Sequence, residues 1–170
     1  GDDRYYHLVL LAENNEGYAN LMKIVSKGFV EGYYYKPRVD KELLKEYHEG
    51  IIALSACLAG EIPDALGKGL YQTALNAAQE MSEIFGEDHF YLELQDHGIP
   101  EQQNVNQQLL KMHRETGIDL VATNDVHYTL AEDAQPHDVL LCLQTGKKLA
   151  DEDRMRYEGG QYYVKSSEEM

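Results

Sequence analysis

The chain is short of cysteine, of basic side chains and of long apolar runs, and each shortage excludes something. Cys57 and Cys142 are the two cysteines among 170 residues, so no disulfide framework is expected. Neither sits in the Cys-x-x-Cys pair that a zinc ribbon needs. That usage fits a reducing, cytoplasmic setting. No apolar run approaches the roughly 18 residues of a membrane-spanning helix. Gly1-Asp2-Asp3-Arg4 lacks an apolar core behind its charge, so no secretory leader is expected. No G-x-G-x-x-G or G-K-S/T element follows the first strand-like run, which removes the signal for dinucleotide or P-loop chemistry. Lysine and arginine number 15 against 30 aspartates and glutamates, a formal net charge of −15. A surface of that sign repels a phosphate backbone. A nucleic-acid role then requires bound cations, a local basic loop or a neighbouring basic domain.

What is present reads as alternation. The run 5–12 is rich in strand formers and nearly all apolar, as in a buried parallel strand. A helix is expected from about Asn15, with Tyr18, Leu21, Met22, Val25 and Phe29 on its core stripe. Residues 31–38, "EGYYYKPR", break the pattern with Gly32 and Pro37 and form a loop with three tyrosines and two cations. Asp40 caps a short helix over 41–47. The run 50–60 gives a second strand entering a small-residue turn. A helix over 70–85 closes at Gly86. Residues 89–95 give a third strand. Pro100 opens a helix carrying Val105, Leu109 and Met112, with Gly117 past its end. Residues 119–123 give a fourth strand, 136–144 a helix, and 161–166 a last short strand. Strands separated by helices predict parallel βαβ units in an α/β fold. The ending "SSEEM" reads as a cut helix, and the start carries no initiator methionine, so a fragment is expected.

In parallel α/β architectures, function gathers at the carboxyl ends of strands. Those ends carry Cys57, Glu93, His97, Asp125 and His127, while His7 lies inside the first apolar run. These are ligand types for zinc and related divalent ions. In an extended segment, i and i+2 point the same way, so Asp125 and His127 can aim at one ion. Each has a plainer reading. A strand histidine such as His7 is commonly a hydrogen-bonded core residue. Cys57 among Ala and Leu reads as a small buried hydrophobe. Glu93 and His97 read equally as loop residues, and His137 and Cys142 as helix packing. Tyr33–Tyr35 read as loop packing or as a surface for stacking bases.

Taken together, "HLVLLAENNEGYANLMKIVS", "EGYYYKPRVD", "ALSACLAGEIP", "YLELQDHGIPEQ", "ATNDVHY" and "HDVLLCLQTGK" resemble the bacterial DNA polymerase III alpha family of the DnaE type. The similarity falls in the family's N-terminal polymerase-and-histidinol-phosphatase (PHP) domain and covers nearly all 170 residues in order. It implies an α/β fold, the C-terminal part of a distorted (βα)7 PHP barrel with parallel strands alternating with helices. It implies a partial PHP domain over 1–156, lacking its first βα units, and over 157–170 the start of the connection towards the polymerase palm. It implies divalent metal (zinc, manganese or magnesium) held by His7, Cys57, Asp125 and His127, with Glu93 and His97 as further candidates. Asp125 and His127 are the candidate catalytic pair. Lys36 and Arg38 are placed to meet nucleic-acid phosphate.

The resemblance also implies activities. The parent is a DNA-directed DNA polymerase, a nucleotidyltransferase acting on DNA and deoxynucleotides, with 3′→5′ exonucleolytic proofreading assigned to the metal site. Its implied partners are a proofreading subunit and a sliding clamp; no membrane is involved. Nothing here matches the family's opening "HxHxxYS" strand, its Asp-His motif or its "GxE" strand. The segment alone is therefore expected to be inactive, with weak or absent metal, and to self-associate through exposed apolar surface. The competing readings are a non-catalytic docking module of the polymerase and a stand-alone PHP phosphoesterase.

Overall fold

The structure is a computed structural model and describes residues 5–170. The stretch 1–4, on which the expectation about a leader rests, lies outside the described residues. The strand-forming runs become β1 (Val9–Ala12), β2 (Ile51–Leu54), β3 (Phe90–Leu94) and β4 (Leu120–Ala122). They lie side by side in chain order in one sheet. The helices are α1 (Asn15–Val30), α2 (Lys41–Glu46), α3 (Glu61–Gly67), α4 (Tyr71–Phe85), α5 (Pro100–Thr116) and α6 (Ala134–Thr145).

The helix boundaries follow local chemistry. Asn14 accepts the Gly17 N–H at 2.9 Å and starts α1. Asp40 does the same for Leu43 at 2.9 Å and starts α2. Gly86 ends α4 with φ of 92°, and Gly117, past α5, has φ of 76°, conformations that cost glycine little. The helix α3 is an element that periodicity did not suggest. Its seven residues include a proline and a glycine, and its first residue follows directly on a tight turn.

Strand direction departs from expectation at one pair. β2 and β3 are parallel, with Ala53 opposite Phe90. β1 is antiparallel to β2, running from Val9 opposite Leu54 to Ala12 opposite Ile51. The chain between them leaves and returns at the same end. Its base is closed by the Glu13 N–H donating to Gly50 O at 2.9 Å. Gly17 in α1 packs directly on that base, where a Cβ would lie 1.8 Å from Gly50 O.

This close approach also corrects the predicted face of α1. Its buried residues are Gly17, Asn20, Ile24 and Gly28. Tyr18, Met22, Val25 and Phe29 are exposed, and Leu21 alone of the expected stripe packs against the core. Small residues let the helix backbone sit close to the turn, which turns the large side chains outward. The core itself unites Ile51, Ala53, Leu66, Ala74, Leu92, Leu109 and Met112, all at most 1% exposed.

The residues form two compact units. One comprises the chain up to Leu94 with Asn104–Val121; the other comprises Gln95–Gln103 with Ala122–Met170. In the second unit the expected last strand is reduced to one parallel bridge, Tyr128 with Tyr163. Backbone bonds from His127 and Tyr128 to Tyr162 O, and from Val164 to Thr129 O, hold the tail there. Arg154, whose side chain is 4% exposed, makes a paired contact with Asp138 in α6, one bond at 2.7 Å.

Gly17→Ala should destabilise the fold by about 1–3 kcal/mol, because backbone faces backbone and neither side can yield. Alanine's better helix propensity is the smaller effect. A lower denaturant midpoint at unchanged m-value checks this; an unchanged midpoint would refute the close approach. A second expectation concerns pH. The hydrogen bond from Arg154, and then its charge, hold the Asp138 carboxyl below its ordinary 3.8. The stability this contributes is present above 3.8 and is lost as pH falls through the lower folded value. Asp138→Asn should therefore lower Tm at neutral pH and flatten the acid limb of a Tm–pH curve.

Candidate functional site

The antiparallel β1 solves the position of His7. The start of β1 lies at the carboxyl end of β2, so His7 sits beside Cys57 although it precedes its strand. His7 Nδ1 is 3.5 Å from Cys57 Sγ. The His7 N–H donates to Ala59 O at 3.0 Å, and His7 bridges Gly60. The turn between β2 and α3 is tight. Ala56 is 4% exposed and has φ of 64°, an unfavourable value for a residue with a Cβ. Gly60 has no room for a side chain, since a Cβ would lie 2.2 Å from Ser55 O. Strain of this kind persists only where surroundings fix the backbone, and here it presents Cys57 to His7. Glu93, on β3, is 5% exposed. Its N–H donates to Ser55 Oγ at 2.8 Å, which locks β3 to the end of β2.

Lys36 and Arg38 belong to the same unit. Lys36 Nζ donates to Tyr5 Oη at 2.7 Å, two residues before His7. Arg38 lies over the Tyr34 ring at 4.7 Å. A groove of about 800 Å³ is lined in part by Tyr5, His7, Arg38 and Ser55.

The other candidates lie in the second unit. Asn124 is buried, and its amide donates to Gln161 O at 3.0 Å and Tyr163 O at 2.7 Å. This clamp fixes the segment from which Asp125 and His127 emerge, both exposed. His127 Nδ1 lies 2.7 Å from Asp125 O. A carbonyl only accepts, so Nδ1 carries a proton; the neutral tautomer with that proton has its lone pair at Nε2, the form a metal requires. The ring rests on Tyr157 at 4.3 Å between centroids.

His97 has the opposite arrangement. It is 4% exposed and stacks on Tyr162 at 4.0 Å. Its N–H donates to Gln102 Oε1 at 2.9 Å, which orients the amide. The Gln102 amide nitrogen then faces His97 Nδ1 at 2.9 Å and donates to it. The ring proton is left on Nε2, on the side of the Asn124 side chain. Burial pushes the His97 pKa down, and the Asp125 charge opposes this. The neutral ring, which burial favours, thus carries a proton rather than a lone pair at Nε2. Gln102 and Asn124, which set these geometries, were not singled out by sequence reasoning. A glutamine in a helix's first turn carries no sign of its partner.

A family model for the PHP domain matches residues 1–97, more than half of the chain. The chain belongs to the PHP domain family. It is also similar to the DNA polymerase III subunit alpha of Treponema pallidum, at 47% identity over 98% of the chain and 14% of the relative. The subunit alpha of Deinococcus radiodurans is 47% identical over 100% of the chain and 13% of the relative. That of Thermus aquaticus is 46% identical over 99% and 14%. The chain thus spans about a seventh of the length of these curated relatives.

In this PHP segment the candidates fall into two sets: His7 and Cys57, with Glu93, in one unit, and His97, Asp125 and His127 in the other. Among the described residues, no group of three or more His, Cys, Asp or Glu side chains is arranged to hold a metal ion. No helix of the described residues is long and apolar enough to cross a membrane.

Gln102→Leu should leave the His97 N–H and Nδ1 buried without partners. The expected loss is about 1–3 kcal/mol, read from chemical denaturation. A loss no greater than that of Gln103→Leu, at the neighbouring exposed position, would refute the role given to this amide.

Proposed function

We propose that this segment is the C-terminal part of a (βα)7 PHP barrel in a bacterial replicative DNA polymerase. In this reading residues 1–156 belong to the domain and 157–170 lead towards the palm. The complete polypeptide polymerises deoxynucleotides on DNA, and its PHP site removes a mispaired 3′ end. Its partners are a sliding clamp and a proofreading subunit. The reading is supported by 47% identity to a DNA polymerase III subunit alpha over 98% of the chain.

The observation that carries the metal site is the pairing of donors. His7 Nδ1 and Cys57 Sγ lie 3.5 Å apart at the end of β2. His127 has its Nδ1 engaged by Asp125 O, which frees Nε2. Imidazole, thiolate and carboxylate are the donors that zinc and manganese accept. His7 and Cys57 in one unit, and Asp125 and His127 in the other, are the residues that would hold ions. When bound, such ions supply Lewis acidity and an activated water. They also offset part of the −15 charge that otherwise repels DNA. The chain's own residues orient and position. The Asp125 carbonyl aims the His127 ring. The Asn124 clamp fixes the depth of that segment. His97, with its proton on Nε2, serves as a hydrogen-bond donor in place of the ligand role first considered for it.

A second reading, a docking module without chemistry, is favoured by the lack of a three-ligand group among the described residues. Two measurements on the complete polypeptide separate the readings. Metal analysis should find bound divalent ion, and a primer with a mispaired 3′ end should be trimmed. Asp125→Asn should slow trimming at least about tenfold, as for loss of a group that supports a metal. Equal rates would sink the proofreading assignment, and metal-free protein would favour docking.

A further inference from the structure

The loop Gly32–Arg38 presents one side chain that packing does not explain. The Tyr34 N–H donates to Lys36 O at 3.0 Å, and the two residues pair as an antiparallel bridge. Tyr35 is left at the apex with φ of 59°. Glycine or asparagine would adopt this left-handed backbone more cheaply than tyrosine. The ring that bears this conformation is 83% exposed. Its ring contact is the edge of Tyr34, at 4.7 Å and 79°.

Two cations flank the apex, and each is backed by an aromatic face. Arg38 lies 4.7 Å from the Tyr34 centroid, and Lys36 lies 5.0 Å from that of Tyr5. A guanidinium stacked on a ring keeps its in-plane N–H donors for an anion. Lys36 gives one donor to Tyr5 and has two more. Arg38 also lines the groove that contains His7. In a chain of net charge −15, this loop combines local positive charge with an outward aromatic face.

We infer that residues 33–38 bind single-stranded nucleic acid, with Tyr35 stacking on a base and Lys36 and Arg38 meeting its phosphates. Bases offer a flat apolar face and their linkages offer anions, the two features that the loop complements. An acidic peptide would satisfy the cations and leave the apical ring unused. The inference rests on reading the segment as part of a DNA-handling polypeptide. It requires no chemistry at Cys57, Asp125 or His127.

The test is photocross-linking of the complete polypeptide to oligodeoxythymidylate bearing a 3′-terminal 5-iodouracil, with the adduct located by peptide mass. Adducts should fall on residues 33–38. Tyr35→Phe should retain them. Tyr35→Asn, which suits the left-handed backbone and lacks the ring, should reduce the yield on Tyr33 and Tyr34 about tenfold. Unmodified oligothymidylate should compete about tenfold better than an abasic oligomer of equal length, and polyglutamate should compete poorly. Adducts confined to other segments, or an unchanged yield in Tyr35→Asn, would overturn the inference. Equal competition by the abasic oligomer would reduce the loop to a phosphate contact and overturn stacking. Equal competition by polyglutamate would assign an acidic peptide instead. Because the readout needs no turnover, loss of proofreading alone leaves it unchanged.

Discussion

The antiparallel pairing of β1 with β2 is the constraint on which the candidate site depends. Four facing positions, Val9 with Leu54 through Ala12 with Ile51, fix the register. A slip of one residue would turn every side chain of β1 to the other face, and the burial of Leu54 and Ala53 in the partner strand opposes it. Reversal places the beginning of β1 at the end of β2, so His7 and Cys57 become neighbours across 50 positions of sequence. It also requires the intervening chain to return to where it left. The Glu13–Gly50 hydrogen bond and the contact of Gly17 with Gly50 close that excursion at its base. The site geometry and the packing of α1 thus share one cause.

Much of the element order was legible, because strands and helices leave different periodicities and their ends use recognisable residues. Asn14, Asp40, Gly86 and Gly117 punctuate the chain by mechanisms that act locally. Strand direction was not legible. A long helical connection is necessary between parallel neighbours but does not exclude antiparallel ones. Nor was the buried face of α1, where the hydrophobic stripe and the small-residue stripe compete. The small-residue face wins at Gly17, where backbone-to-backbone approach leaves no room for a larger side chain. The α3 helix was hidden by Gly60, Pro63 and Gly67, which read as a turn when taken one by one.

The candidate site was legible in residue types but not in protonation states. His97 and His127 look alike in sequence, each near the end of a strand-like run. In the structure a carbonyl engages Nδ1 of one ring, and an amide N–H engages Nδ1 of the other. The first ring offers a lone pair, and the second offers a proton. Of the two, His97 is buried, and burial favours its neutral form. The two histidines therefore present different nitrogens, and the difference comes from a glutamine five positions from His97.

Charge sets the remaining problem. A segment with twice as many acids as bases handles a polyanion only where positive charge is local and held in place. Free lysines on mobile stems supply little of this, because solvent screens them and side-chain entropy opposes fixing them. Tyr5 and Tyr34 change that balance by giving Lys36 and Arg38 a face to rest on. Both cations are thereby held in place, and Arg38 lines the same groove as His7. Cation placement at Lys36 and Arg38 thus follows from the rings of Tyr5 and Tyr34, and so from the packing of the segment itself.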